Sequence, residues 1–195
     1  MRTLCMDTSH RHLVLVLMEE DKIIASHQQQ AWKKQSETIF VELVSLMESV
    51  KWSVDDLNRV VITKGPGSYT GIRIAMSIAK VLCTQKDIEL YTISTLQLYA
   101  GLQDVYVMLD ARSNRAYFGN VSNGKIVDCA IHSLDDLKNK KDKPFVGDVD
   151  LIDLEKKEID FVQNFADLKE YYEKVENKHT LTPEYLKDES AYLVK

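Results

Sequence analysis

The chain has 195 residues, of which 45% are hydrophobic and 28% charged, a composition typical of a globular protein large enough to bury a core. The formal net charge is −5 at pH 7, so the chain lacks the basic balance that phosphate contacts demand. We therefore expect no nucleic-acid binding by the chain alone. There is no apolar run of membrane-spanning length and no signal-peptide pattern, which predicts a cytoplasmic protein without a membrane contact.

The sequence does not nominate a metal site or a nucleophile. His10 and His12 lie two residues apart beside a turn, a position that favours exposed side chains over metal ligands. No order of Ser, His and Asp and no Cys and His pairing suggests nucleophilic catalysis. Cys5, Cys83 and Cys129 each stand in an apolar run, which predicts buried free thiols in a reducing compartment. We therefore expect no metal, cofactor or catalytic residue in this chain.

The first half of the chain predicts an α/β unit with the order β-β-β-α-β-α-β, followed by a short helix that Ser94 caps. The predicted strands are 3–6, 12–18, 23–29, 59–63 and 88–93, and the predicted helices are 36–50, 74–85 and 95–100. The helix at 36–50 carries an apolar stripe, whereas the helix at 74–85 is apolar nearly all round. A helix of the second kind is buried on more than one side.

A similar order restarts in the second half. Strands are predicted at 105–110, 115–121, 124–131 and 145–147, with a short helix after Ser133 and a late helix at 165–175. Asn123-Gly124 is a strong hairpin signal between the second and third of these strands. The pattern predicts two lobes of duplicated order, 1–102 and a smaller 103–195, the second reduced by a stretch rich in lysine and aspartate. We expect the tail at 182–186 to pack back on the body.

A glycine-rich turn joins the strand at 59–63 to the helix that follows. It reads Lys-Gly-Pro-Gly-Ser-Tyr-Thr-Gly-Ile-Arg over residues 64–73, and it matches neither the Walker nor the Rossmann pattern. Ser68 and Thr70 are both candidate caps for the helix. Two interpretations stay open, a tight turn or an anion or nucleotide contact at the helix N-terminus. The candidate contact residues are Gly65, Gly67, Ser68, Tyr69, Thr70 and Arg73.

Arg73 is unexpected in this position, because a cation in the first helical turn opposes the helix dipole. We expect a carboxylate, a partner or a ligand phosphate to hold it. Asp7 and Asp110 each end a predicted strand, where an aspartate either caps a turn or holds a metal–phosphate group at the mouth of a cleft.

The helix after the glycine turn also carries small residues at a spacing of four. Gly71, Ala75 and Ala79 lie on one face, which allows another helix to approach closely. The face belongs either to a central core helix or to an interface with a second subunit. In the second case the preceding helix supplies neighbours for that interface, and these are Phe40, Val44 and Met47.

The whole set of motifs resembles the bacterial TsaB family, also called YeaZ. The segment 65–73 closely resembles the signature of that family, and 6–9, 94–96, 109–117 and the tail 183–186 are similar to its other motifs. Together these matches are spread over nearly the whole chain, which makes their combination far more specific than any one of them.

The resemblance implies an actin/Hsp70/sugar-kinase-like (ASKHA) fold of two lobes. It also implies a non-catalytic subunit in the synthesis of threonylcarbamoyladenosine, beside the anticodon of tRNAs that read codons beginning with A. In that family TsaB pairs with TsaD, which transfers the threonylcarbamoyl group, and works with the ATPase TsaE. The resemblance therefore implies that ATP and metal belong to partner subunits and that tRNA is met only through the complex. It further implies that the two helices carrying Phe40 and Ala75 join TsaB to TsaD, or pair two copies when TsaD is absent.

Two departures from the family pattern are visible. Gln35-Ser36-Glu37 stands where many relatives have His-Ser-Glu, and the second lobe is shortened. The alternative function is a peptidase-like or sugar-kinase-like enzyme that acts alone, because a fold by itself does not determine function.

Overall fold

The computed structural model describes residues 1–31 and 34–186, which form two β-sheets with helices packed against them. The first sheet has six strands: β1 (Arg2–Asp7), β2 (His12–Glu19), β3 (Lys22–Gln30), β4 (Arg59–Thr63), β5 (Glu89–Ile93) and β10 (Glu173–Lys174). Their order is β10-β5-β4-β1-β2-β3. β1, β2 and β3 form an antiparallel meander, and β4 and β5 continue the sheet parallel to β1. The five strands predicted for the first half are confirmed.

The helices of the first half lie on opposite faces of this sheet. They are α1 (Gln35–Ser49), α2 (Tyr69–Gln85) and α3 (Thr95–Ala100). α2 begins earlier than its apolar stretch indicated, because Ser68 caps it by accepting a hydrogen bond from the Gly71 N–H at 3.2 Å. The predicted cap of α3 is confirmed as well, since the Ser94 side chain accepts from the Leu96 N–H at 3.2 Å.

The second sheet repeats the first four strands of the first sheet. It contains β6 (Val105–Arg112), β7 (Arg115–Ser122), β8 (Lys125–Ser133) and β9 (Phe145–Gly147) in the order β8-β7-β6-β9. β6, β7 and β8 are an antiparallel meander, and β9 pairs parallel to β6 after the short helix α4 (Leu134–Lys138). This confirms the duplicated order and the Asn123-Gly124 hairpin. In the described residues no helix and strand follow β9 in the places that α2 and β5 take in the first sheet.

The chain after β9 returns to the first sheet. The helix α5 (Phe161–Asp167) packs on β2, β3 and α3, and β10 pairs antiparallel with β5. The predicted helix at 165–175 is therefore wrong in extent. It starts earlier at a cap on Asp160, whose side chain accepts from the Gln163 N–H at 2.9 Å, and it stops before a 3-10 turn at Lys169–Tyr171. The boundary between lobes near residue 102 stays a prediction.

The alternation of side chains along each strand divides the core into layers. In β1, Leu4 and Met6 pack under α1 and α2, while Cys5 points to the opposite face with α3, α5 and the second sheet. A third cluster around Phe118 fills the outer face of the second sheet. Cys5 and Cys83 are buried free thiols as predicted, but Cys129 is only partly buried because it lies on the edge strand β8.

Candidate functional site

The glycine turn is held against the end of β1 by direct backbone contact. The Ser68 N–H donates to the Ser9 carbonyl oxygen at 2.7 Å. A Cβ atom on Gly67 would lie only 2.3 Å from that same oxygen. One on Gly71 would lie 2.2 Å from the Thr8 carbonyl oxygen. Both glycines are therefore needed where the chain segment 8–9 touches the start of α2.

Thr8 adds a side-chain connection to the same place. Its hydroxyl donates to the Gly71 carbonyl oxygen at 2.7 Å and accepts from the Ala75 N–H at 3.2 Å, a short buried bridge between β1 and the first turns of α2. The Gly71 N–H is already taken by the Ser68 cap. The start of α2 thus satisfies several of its polar groups from within the chain.

The chain segment around Glu184 closes over the other side of the turn. The Glu184 N–H donates to the Lys64 carbonyl oxygen at 2.7 Å, and a Cβ on Gly65 would lie 2.3 Å from the Glu184 carbonyl oxygen. The Lys64 ammonium group lies 2.6 Å from Glu173 and 3.4 Å from Glu184. Burial alone would lower the pKa of Lys64, but these two carboxylates outweigh it and raise that pKa. Lys64 therefore ties both β10 and the tail to the turn.

Of the candidate anion residues, Gly65 and Gly67 are buried under the chain itself. Ser68 and Thr70 line a small cleft of about 280 Å³ together with His10 and Arg112. An anion contact stays a prediction, and these two hydroxyls are the residues placed to make it.

Arg73 contacts two tyrosines in the part of the chain that the structure describes. Its Nε donates to the Tyr185 hydroxyl at 3.2 Å, and its guanidinium lies 4.5 Å from the ring centre of Tyr69. The two tyrosine rings stack with their centres 5.5 Å apart. Among the described residues the tail supplies an aromatic partner in place of the expected carboxylate, and a contact with a partner protein or a ligand phosphate stays a prediction. The sequence does not reveal this contact, since 112 residues separate Arg73 from Tyr185.

The aspartates at the strand ends cap turns. Asp7 Oδ1 accepts from the Ser9 N–H at 2.9 Å and from the Thr63 hydroxyl at 2.5 Å. Asp110 Oδ1 accepts from the Arg112 N–H at 2.8 Å. Within residues 1–31 and 34–186 no three or more His, Cys, Asp and Glu side chains are grouped so that they could hold a metal ion. Of the two alternatives for these aspartates, turn capping is the one seen.

His10 is not an exposed side chain, contrary to the prediction. It is 4% exposed, and its Nε2 lies 2.5 Å from Asp148 Oδ2. The same carboxylate accepts from the Asp110 N–H at 2.8 Å, and Arg11 Nε lies 3.1 Å from its other oxygen. Because Asp148 follows β9 and His10 follows β1, this network joins the two sheets.

The charge on Asp148 is favoured by its partners. Burial by itself would raise the pKa of this carboxyl, but the hydrogen bond and charge of His10, the Asp110 N–H and Arg11 together lower it. His12 behaves differently, since burial is the main reason why its pKa is lowered. Asp148 was missed because it lies in the lysine- and aspartate-rich stretch that indicated only a reduced lobe.

The small-residue face of α2 is part of the chain's own core. Ala75 and Ala79 have no exposed surface, Gly71 is buried against Thr8, and Met47 of α1 is buried as well. These four residues offer no surface to a partner, which corrects the prediction that they form an interface. The core-helix alternative is the one observed for them.

A different face of the same two helices is exposed and apolar. Phe40 and Val44 of α1 are 60% and 54% exposed, and Tyr69 and Val81 of α2 are similarly exposed. We call these four residues the helix surface. A shallow groove of about 430 Å³ next to Phe40 and Tyr69 exposes parts of Ile74 and Ile78. Whether a partner covers the helix surface stays a prediction.

Known proteins match both the sequence and the fold. A family model described as "TsaD: tRNA N6-adenosine threonylcarbamoyltransferase" matches residues 22–144. The tRNA threonylcarbamoyladenosine biosynthesis protein TsaB of Bacillus subtilis (strain 168) is 34% identical over 126 residues, which are 61% of this chain and 54% of the relative. TsaB of Escherichia coli (strain K12) is 26% identical over 60% of this chain and 54% of its own length. The solved structure of YeaZ from Pseudomonas aeruginosa superposes with a TM-score of 0.77 at 18% identity, covering 95% of this chain and 99% of that one.

The chain belongs to the TsaB (YeaZ) family. Its fold is the α/β fold of the YeaZ structures, with two sheets that share a strand order and a second sheet that is the smaller of the two. The chain spans about half the length of the curated relatives it matches, 54% for the Bacillus subtilis TsaB and 58% for the TsaB of Buchnera aphidicola from Schizaphis graminum. These relatives are named for tRNA threonylcarbamoyladenosine biosynthesis. Among the described helices, none has the length and apolar character needed to cross a membrane.

Proposed function

We propose that this chain is a non-catalytic subunit that pairs with TsaD and works with TsaE in threonylcarbamoyl transfer to tRNA. The adenosine that receives the threonylcarbamoyl group lies next to the anticodon of tRNAs that read codons beginning with A. In this proposal ATP and metal belong to the partner subunits, and the chain works in the cytoplasm with its tRNA. Membership of the TsaB family supports the process, and the exposed helix surface supports the pairing.

The helix surface is the observation that carries the pairing. More than half of the surface of Phe40, Val44 and Val81 is exposed to solvent. Exposed apolar patches of this kind are typical of surfaces that bind a partner. Aromatic side chains and arginine are enriched where partners bind, and Tyr69 and Arg73 lie at the edge of the same groove. Without TsaD, the same surface pairs two copies of the chain.

The net charge of −5 supports the proposal that this subunit contacts tRNA only within the complex. Phosphate contacts need a basic surface, so the lone chain has little electrostatic attraction for RNA. In the proposal the tRNA is held mainly by the other subunits, and this chain positions or stabilises TsaD. Filter binding of tRNA by the isolated chain at physiological salt is expected to be negligible, as is its hydrolysis of ATP.

The pairing is tested by placing a charge on the helix surface. Val44→Asp puts a carboxylate where the proposal places a dry contact, and burying an unpaired charge is costly. We expect co-purification with the organism's own TsaD to weaken by about 100-fold, and the level of modified tRNA in cells that depend on this copy to fall. Val127→Asp is the matched control. Val127 is 64% exposed on β8, so the same change there leaves TsaD binding intact.

The possible outcomes test the proposed surface and the proposed function separately. If wild-type chain fails to co-purify with TsaD, the proposed function is wrong. If it does co-purify and Val44→Asp binds as well as Val127→Asp, the partner uses another surface. Urea unfolding of both variants checks that neither has lost its fold. Turnover of ATP or a peptide by the isolated chain, lost in Asp7→Ala, would favour the enzyme alternative.

A further inference from the structure

Among the described residues, the outer face of the second sheet is covered by less chain than the matching face of the first sheet. Phe145 of β9 pairs with Tyr106 of β6. Val60 of β4 pairs in the same way with Leu4 of β1, which makes Phe145 the counterpart of Val60. Val60 has no exposed surface under α1 and α2. Phe145 stays partly exposed, because only the short helix α4 and a 3-10 turn at Val149–Ile152 pack on the second sheet there.

An apolar groove of about 470 Å³ lies beside β9. Its apolar lining comes from Pro144, Phe145, Ile152 and Leu154. Pro144 is exposed and Leu154 is 47% exposed. In the first sheet β4 takes the place of β9, and α2 packs directly on it. The second sheet therefore presents apolar side chains to solvent where the first sheet packs a helix.

The rim of the groove is basic, and its four lysines are Lys138, Lys140, Lys141 and Lys143. The Lys143 ammonium group is paired with Asp104 at 2.7 Å. The Lys138 ammonium group lies 3.6 Å from the exposed Asp153. The other two lysines make no ion pair with the residues that the structure describes. The rim thus has cationic groups available to a partner, although the chain as a whole is acidic.

Lysine side chains can cover apolar surface by themselves, which is the competing interpretation of this face. Lys140 Nζ lies 5.4 and 5.3 Å from the ring centres of Tyr106 and Phe118. Asp142 accepts from the Tyr106 hydroxyl at 2.5 Å. These contacts shield the two rings, but Leu154 remains exposed beside them. The cover that the chain itself supplies is therefore incomplete.

We propose that this groove binds a helical segment of another protein, apolar on one face and acidic along its flanks. We call it the lysine groove, defined by the eight residues 138, 140, 141, 143–145, 152 and 154. The bound segment packs on β9 as α2 packs on β4. Its apolar side chains contact the lining, and its carboxylates pair with the lysines of the rim. An RNA backbone needs only the basic rim, so the apolar lining favours a protein segment.

The lysine groove is tested with the full chain and a synthetic alanine-based peptide of about 16 residues, roughly four helical turns, with leucines on one face and glutamates on both flanks. Fluorescence anisotropy of the labelled peptide measures the affinity, and we expect a dissociation constant of about 10–100 μM. Leu154→Asp places a charge in the apolar lining and is expected to weaken binding at least about tenfold. Lys141→Glu is expected to weaken it by about three- to fivefold. The matched controls, Val127→Asp and Lys125→Glu, change exposed residues of β8 and are expected to leave binding unchanged.

Saturable binding that Leu154→Asp and Lys141→Glu weaken, and that the two β8 variants leave unchanged, supports the groove. The absence of saturation up to about 1 mM peptide overturns it. Equal binding of a peptide with alanine in place of every leucine overturns it as well, because it indicates diffuse charge attraction.

Two further measurements identify another occupant. Filter binding of tRNA that Lys141→Glu abolishes, without peptide binding, overturns the proposal in favour of an RNA surface. Sedimentation that shows self-association, lost in Leu154→Asp and again without peptide binding, overturns it in favour of a contact between copies of this chain. Urea unfolding confirms that the variants are folded. If Leu154→Asp is not folded, the comparison of Lys141→Glu with Lys125→Glu on both peptides decides alone.

Discussion

Gly67→Ala is the sharpest test of what the glycine turn does. The added methyl group would lie 2.3 Å from the Ser9 carbonyl oxygen, far inside van der Waals contact. That oxygen accepts the Ser68 N–H at 2.7 Å, so moving it away breaks the hydrogen bond. The neighbour is backbone and cannot rotate out of the way. Gly67 does not have a positive φ, so the expected effect is steric and not a matter of backbone conformation.

The magnitude follows from two losses. Leaving a buried carbonyl oxygen or N–H without its partner costs about 1–3 kcal/mol. Forcing a methyl group into packed surroundings costs about 1–3 kcal/mol more. We therefore expect the free energy of unfolding to fall by about 2–4 kcal/mol, since the backbone can relax in part. For a protein of this size the corresponding drop in melting temperature is about 4–16 °C.

Urea unfolding followed by circular dichroism measures this loss, with Gly119→Ala as the matched control. A Cβ on Gly119 would also meet a close neighbour, Leu96 Cδ1 at 3.0 Å, but that atom is the end of a flexible side chain. The control is expected to lose less than half as much. If Gly67→Ala unfolds at the same urea concentration as wild type, or no earlier than Gly119→Ala, the turn is not held by backbone contact and the packing argument is refuted.

Two further predictions concern titratable groups. Burial raises the pKa of the Cys5 thiol to about 12 and that of Cys83 to about 11, so iodoacetamide at pH 8 should modify the partly exposed Cys129 first in the native protein. Peptide mapping in which Cys5 is labelled as fast as Cys129 would contradict the buried core. The pKa of Asp148 is lowered in the folded state, so its contribution to stability is present above its unfolded pKa near 3.8 and is lost as pH falls through the folded value. Asp148→Asn should therefore lower stability by about 3–5 kcal/mol at pH 6 and by progressively less as the pH falls below 3.8, and a loss that does not change with pH would argue against the charged pair.

Local signals in the sequence were reliable where the structure depends on neighbours in the chain. The caps at Ser68 and Ser94 and the Asn123-Gly124 hairpin are each decided within a few residues, and all three are confirmed. The strands were equally visible, because their apolar runs and turn residues need no knowledge of the rest of the fold.

Contacts between distant parts of the chain could not be predicted in this way. Asp148 and His10 are 138 residues apart, and the sequence around either residue does not indicate a contact with the other. Tyr185 meets Tyr69 and Arg73 because the tail returns along the glycine turn, which no pattern near Arg73 reveals. The glycine turn and its cap could thus be predicted from the sequence, whereas the residues that the tail and the second sheet bring to it could not.

Four of the six residues predicted for the interface, Met47, Gly71, Ala75 and Ala79, are buried, and the reason for the three on α2 lies in helix geometry. Gly71, Ala75 and Ala79 recur every four residues, and so do Tyr69, Arg73, Ser77 and Val81. The two sets are offset by two residues, which turns them about 200° apart on the helix, almost back to back. The pattern identified a small face and an opposite face, but spacing alone does not say which one the sheet covers. The size of the residues decides it, because the close approach that Thr8 makes at Gly71 leaves no room for a larger side chain. Small residues therefore mark the side of α2 that the chain itself has already used, whereas Tyr69 and Val81 on the other side stay exposed.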